Sequence, residues 1–168
     1  MSDLPPGASP WLHDLGRWVG RWLFRPGFRV RVHHRDRIPA TGPVVLVANH
    51  TTMLDGPLRA AVAVLRGGGA VGMFPEGTRG SGDVAAAQHG AAWLARTTGA
   101  VVLPVVCRGT RRPGGSGRRW RSRIDVLVGE PLAIPGGGGR AGLVAATEIV
   151  RAELAGMVRE LDEIRSRA

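Results

Sequence analysis

Apolar residues recur at helical spacing from Trp11 to Leu23, at Trp11, Leu12, Leu15, Trp18, Val19, Trp22 and Leu23. Arg17, Arg21 and Arg25 are set among them, and Pro26-Gly27 closes the stretch. From Phe28 to His33 the pattern changes to alternation, which predicts a half-buried strand. Pro43 to Ala48 is a continuous apolar run and reads as a fully buried strand. Helical spacing resumes from about Met53 to Arg66 and stops at Gly67-Gly68-Gly69. Ala70 to Phe74 reads as a short strand, followed by a glycine-rich loop and a helix from about Val84 to Thr98, stopped by Gly99. Val101 to Val106 and Ile124 to Val128 are two more buried strands, and Ala141 to Arg165 is a last helix. Gly109 to Gly117 and Pro135 to Gly139 are loops by composition. Strands alternating with helices predict an α/β fold, a single-domain sandwich with a mostly parallel central sheet flanked by helices. The division expected is 1–27 as an N-terminal amphipathic segment and 28–168 as the main domain.

Composition narrows this picture. A chain of 168 residues with 43% hydrophobic content buries a core of its own. The formal charge is +10, and all 23 basic residues are arginine. Seven of them, Arg17, Arg21, Arg25, Arg29, Arg31, Arg35 and Arg37, face one acid, Asp36, within residues 17–37. Seven more crowd into 108–123 with no acid. Two basic stretches around a near-neutral middle imply an anionic partner: a membrane surface, a phosphorylated substrate or a nucleic acid. Against nucleic acid, the second stretch has one aromatic, Trp120, where a stacking platform interleaves several. The tryptophan-bearing segment has two readings, a helix lying in a membrane interface or a helix packed on its own domain. One cysteine, Cys107, excludes a disulfide framework and suggests a reducing compartment. The start, MSDLPPGASP, has neither a charged nor an apolar leader region, so no signal peptide is expected. No apolar run approaches the ~18 residues of a membrane span.

Two segments carry candidate chemistry, and each begins where a predicted strand ends, the place where open α/β sheets build their sites. The first is Asn49-His50-Thr51-Thr52-Met53-Leu54-Asp55-Gly56. A turn between strand and helix can fold Asp55 back onto the His50 imidazole, holding one ring nitrogen and leaving the other to take a proton from a hydroxyl. The alternative is a capping arrangement in which Asn49 or Thr51 caps the helix and His50 is incidental. The second is Phe74-Pro75-Glu76-Gly77-Thr78-Arg79-Gly80. Its backbone N–H groups, Thr78 and the Arg79 guanidinium suit a phosphate, with Glu76 fixing the arginine; a self-satisfied structural turn is the alternative. No Gly-x-Ser-x-Gly is present, so the base has no evident protein nucleophile, which fits direct attack by a substrate hydroxyl. His33-His34 and a lone cysteine give no metal-binding spacing.

The two motifs in this order resemble those of the glycerolipid acyltransferase family, which includes the bacterial 1-acylglycerol-3-phosphate acyltransferases. The resemblance continues through Gly82-Asp83-Val84, His89-Gly90-Ala91-Ala92, Val102-Leu103-Pro104-Val105-Val106 and Val128-Gly129-Glu130-Pro131-Leu132, so it spans roughly 38–132. It implies the glycerol-3-phosphate acyltransferase-like form of the sandwich. It implies that His50 deprotonates the acceptor's glycerol hydroxyl, that Asp55 orients His50, and that Glu76, Gly77, Thr78 and Arg79 bind the acceptor phosphate. Pro104 would shape the wall near the acyl donor. The implied partners are acyl-CoA or acyl carrier protein, lysophosphatidic acid and the membrane surface, and the reaction consumes no cofactor beyond the thioester. The expected location is cytoplasmic, peripheral on the inner face of the cell membrane.

One departure is large. Only Gly56 to Met73 separates the motifs, where the family usually has several dozen residues, including a second block ending in an arginine that grips the phosphate. The sequence therefore leaves two further readings: a catalytically degenerate, membrane-binding family member, or an acyltransferase for another lysophospholipid or a glycolipid.

Overall fold

The computed structural model describes residues 28–49, 58–73, 89–110 and 122–168. Within them lie five strands: β1 (Phe28–His33), β2 (Val44–Ala48), β3 (Ala70–Met73), β4 (Val101–Arg108) and β5 (Ser122–Val128). Three α-helices accompany them: α1 (Leu58–Arg66), α2 (Gly90–Thr98) and α3 (Gly139–Ser166). The strands form one sheet in the order β1-β5-β4-β2-β3. All neighbours run parallel except β4 and β5, which run antiparallel. This is the expected mostly parallel α/β sandwich. β4 extends to Arg108 and β5 starts at Ser122, so both exceed their apolar runs; strand propensity continues while the ladder has a partner.

Side-chain alternation divides the sheet into two faces. On one, Val45, Val47, Val102, Val106 and Leu127 pack against Leu65 of α1, Leu94 of α2, and Val150, Leu154 and Leu161 of α3. On the other, Val44, Leu103, Val105 and Val128 form a second cluster with Leu46, Ala48, Val101 and Val126, and every member is a strand residue. The strands that carry both clusters, β2 and β4, read as unbroken apolar runs because both of their faces are buried.

β1 differs from its expectation. Its alternation suggested one buried face, yet Val30 is 51% and Val32 40% exposed, because β1 is an edge strand paired only with β5. Beyond it, His34 takes a left-handed conformation (φ 58°) and opens a short 3-10 turn, Arg35–Arg37. Arg37 fastens that turn to the end of β5, donating to the Val128 carbonyl at 3.2 Å and pairing with Glu130 at 2.8 Å.

β4 carries a proline in its middle, normally excluded from a central strand. On the β5 side of Pro104 regular pairing ends at Val128, and the chain from Gly129 to Leu132 runs past it instead. Gly129 donates to the Pro104 carbonyl at 2.9 Å, and Val102 and Leu132 exchange both of their backbone bonds. The missing N–H of Pro104 thus faces an irregular stretch where no ladder bond is required. Gly129 is obligatory there: a Cβ would lie 2.6 Å from Met157 Sδ and 2.8 Å from Pro104 Cγ.

Candidate active site

Both motifs leave the sheet from neighbouring strand ends. β2 and β3 pair in parallel with Val47 opposite Met73. Asn49, one residue past β2, directly precedes His50, and Met73, the last residue of β3, directly precedes Phe74. Each motif therefore follows, in sequence, the carboxyl end of one of two paired parallel strands, the place where open α/β sheets build their sites. His50, Asp55, Glu76, Gly77, Thr78 and Arg79 themselves lie outside the described residues.

Asn49 shows how the first motif is anchored. It is buried, and its side-chain amide pairs with the backbone of Cys107 on β4. Oδ1 accepts from the Cys107 N–H at 2.6 Å, and Nδ2 donates to the Cys107 carbonyl at 3.2 Å. Backbone pairing of β2 with β4 ends at Ala48–Val105, so the amide continues the ladder as a peptide unit would. The residue before His50 is thereby fixed to a central strand. A helix cap by Asn49 or Thr51 is the alternative reading of this motif, and the Asn49 amide also binds β4 through Cys107.

Cys107 contributes backbone, not a nucleophile. Its thiol is half-buried, and burial pushes its pKa above the ordinary thiol value, which disfavours the thiolate.

At the start of α2, His89 Nδ1 lies 2.8 Å from Thr147 Oγ1. The Thr147 hydroxyl gives its proton to the Leu143 carbonyl at 2.9 Å, so Nδ1 carries the hydrogen and donates to Thr147. Gly90 then packs against β3: a Cβ there would stand 3.0 Å from Met73 Cε. The end of β3 and the start of α2 are thus in contact, and the stretch with the second motif connects them.

A second polar group was not read from the sequence. Asp125 of β5 is fully buried and accepts from Arg123 Nε at 3.0 Å and from Arg165 Nη1 of α3 at 2.5 Å. His33 Nε2 of β1 stands 3.7 Å away. Nearby, Arg108 binds Asp162 of α3 through two bonds of 2.9 Å. The available signal was a charged pair, Arg123 and Asp125, two apart on one face of an otherwise apolar strand. Among the described residues no group of three or more His, Cys, Asp or Glu stands ready for a metal.

An acyltransferase family model matches residues 29–63, a span that includes Asn49 through Asp55 and stops short of Glu76–Arg79. The fold is similar to that of the 1-acyl-sn-glycerophosphate (LPA) acyltransferase PlsC from Thermotoga maritima, with a TM-score of 0.60. The match has 23% identity and covers 86% of this chain and 77% of that one. The family-model match and the fold are both similar to acyltransferases, the first over about a fifth of the chain and the second over most of it. No curated protein matches the chain at a significant level. Residues 58–73 are taken up by α1, a glycine turn and β3, and three backbone bonds close the turn: Gly67 N–H to Ala63 O, Gly68 N–H to Leu65 O and Gly69 N–H to Val64 O.

Proposed function

We propose that the protein transfers a fatty acyl group from acyl-CoA or acyl carrier protein to the free hydroxyl of 1-acylglycerol-3-phosphate, giving phosphatidic acid for phospholipid biosynthesis. The observation that supports this reading is the parallel pairing of β2 with β3, the two strands that the His50 and Arg79 motifs follow in the chain. His50 takes the proton of the acceptor hydroxyl as its oxygen attacks the thioester carbonyl. A C–O bond forms, the C–S bond breaks, and the departing sulfur takes the proton from the imidazolium. Asp55 orients the ring and stabilises its charged form. Glu76, Gly77, Thr78 and Arg79 hold the acceptor phosphate. Pro104 shapes the wall beside the acyl donor. The thioester is the only co-substrate.

The enzyme works on the inner face of the cell membrane, where the two arginine-rich stretches meet anionic headgroups. No helix of the described residues is long and apolar enough to cross a bilayer, in keeping with peripheral attachment.

A second reading has its own observation. Between Asp55 and Phe74 there is room only for α1 and β3, so no counterpart exists for the family's second phosphate-gripping block. This favours a degenerate member that binds membrane without turnover, or a different lysophospholipid or glycolipid acceptor. Acyl transfer from labelled acyl-CoA to lysophosphatidic acid, by the protein and by His50→Ala, decides. Turnover that disappears in the variant supports the enzyme; none in either, with folding intact and an active full-length relative alongside, sinks it.

A further inference from the structure

α2 and the start of α3 enclose an open cleft that acyl transfer does not use. It holds about 380 Å³, and its walls include Trp93 and Arg96 of α2 and Gly137, Gly139, Arg140 and Leu143. That volume suits a small molecule. Two residues separate α2 from the start of β4, and Leu132, shortly before the glycine turn, pairs with Val102 of β4. The cleft therefore lies toward the amino-terminal ends of the parallel strands, whereas both motifs follow carboxyl ends.

Its chemistry is that of an anion site. Gly137, Gly138 and Gly139 have φ of 82°, 71° and 53°, a left-handed run that suits glycine. Gly138 is the N-cap of α3, so no side chain caps the helix, and the first intrahelical bond runs from Gly142 N–H to Gly138 O at 2.9 Å. The amides of Gly139, Arg140 and Ala141 are left without a helix partner at the positive end of a 28-residue helix. Such an end attracts anions, yet this one carries a cation, Arg140, in its first turn. No acid occurs in 84–100 or 131–147. Arg140 is exposed and forms no ion pair among the described residues.

Arg96 brings a second guanidinium to the same place. It donates to the Gly139 carbonyl at 3.3 Å and to the Gly137 carbonyl, and its Nε is buried without a partner. Gly142 permits this closeness, since a Cβ there would lie 2.5 Å from Gly137 O and 3.3 Å from Arg96 Nη2. Beside the charges, Trp93 is 39% exposed and Leu143 half-buried, which gives the cleft an apolar wall.

We propose that this cleft binds a small phosphate ester, with its phosphate on the free amides of α3 and the Arg140 guanidinium. Its aromatic or apolar body lies on Trp93 and Leu143. A bound phosphate neutralises the charge that Arg140 adds to the helix start. The site is independent of the acyl-transfer reading.

Isothermal titration calorimetry on the full chain, with adenosine monophosphate, adenosine and inorganic phosphate, tests this. The monophosphate is expected to bind one to one, inorganic phosphate more weakly and adenosine not at all. Arg140→Ala should weaken the monophosphate about tenfold or more, the loss of one charged hydrogen-bonding group. Trp93→Ala should weaken the monophosphate and leave inorganic phosphate unchanged. Arg79→Ala, in the acceptor motif, should alter neither. Absence of binding by both phosphate probes at millimolar concentration overturns the proposal. So does binding that is lost in Arg79→Ala and kept in Arg140→Ala, which places the phosphate on the acceptor motif. Phosphatidylglycerol vesicles separate the two sources of a phosphate ester. Displacement of the bound monophosphate assigns the cleft to a lipid headgroup, and its retention assigns it to a soluble ester.

Discussion

β2 and β3, from which both motifs depart, are held by apolar packing and one neutral amide, whereas β1 and β5 are held by charge. On the motif side, Val45 and Val47 sit in the helix-covered core and Asn49 splices β2 onto β4. On the far side, one buried carboxylate, Asp125, gathers Arg123 and Arg165 and stands beside His33, tying two strands to α3. Among the described residues, β2 and β3 themselves carry no charged side chain. Ionic fastening is directional, so it sets the register where apolar contacts are sparse, at the cost of sensitivity to loss of a single partner.

The sharpest way to separate the two sides is to remove one group from each. His50→Ala is expected to lower acyl transfer by about 10²–10⁴-fold, the range for a general base, with the melting temperature unchanged. Asp125→Asn is expected to do the reverse. It strands Arg123 and Arg165 against a neutral amide and costs about 3 kcal/mol, allowing for their partial exposure, while the folded fraction keeps its turnover. Urea titration alongside the activity assay reads both, and equal loss of activity in the two variants would erase the contrast.

Asn49→Ala probes the boundary. It deletes two hydrogen bonds to Cys107, one of them leaving a buried N–H unpaired, for about 1–3 kcal/mol. Because Asn49 adjoins His50, kcat should fall further than the loss of folded protein accounts for. A fall that merely tracks stability would make Asn49 a fastener and nothing more.

The smallest effect concerns Cys107, whose thiol is pushed up by burial. Above the ordinary thiol value of 9.0, the unfolded chain sheds a proton that the folded chain retains. Stability from this group is therefore complete below that pH and is lost as pH rises through the folded value. Cys107→Ala should flatten the alkaline limb of the stability curve slightly, and thiol reagents should modify the native protein slowly at neutral pH. Fast modification would mean that the β2–β4 junction is open.

The fold was largely legible because its strands differ in kind. Val44–Ala48 and Val101–Val106 are continuous apolar runs that only a strand buried on both faces requires, and glycines stop the helices at Gly67 and Gly99. β1 was legible as a strand but not as an edge, since alternation records two unlike faces without saying what covers them. Strand order was not legible: nothing local in Phe28–His33 names Ser122–Val128 as its partner. At the site, the motifs could be located at strand ends, yet the Asn49 amide and the Asp125 cluster were missed. Both depend on contacts between residues tens of positions apart, which periodicity does not encode. Pro104 is unfavourable in a central strand on local grounds, and the bypass at Gly129–Leu132 explains why it is tolerated.

The pairing of β1 with β5 also dictates timing. Phe28 must wait for Ser122 before its ladder can close. At bacterial or eukaryotic synthesis rates that interval is about 5–20 s, long compared with collapse of the segment already made. During it, Val30 and Val32 stay on the nascent chain without their sheet partner. Newly made protein should therefore engage holding chaperones until residue 128 has emerged, and a chain stalled before β5 should be cut by protease within β1 while the completed protein resists.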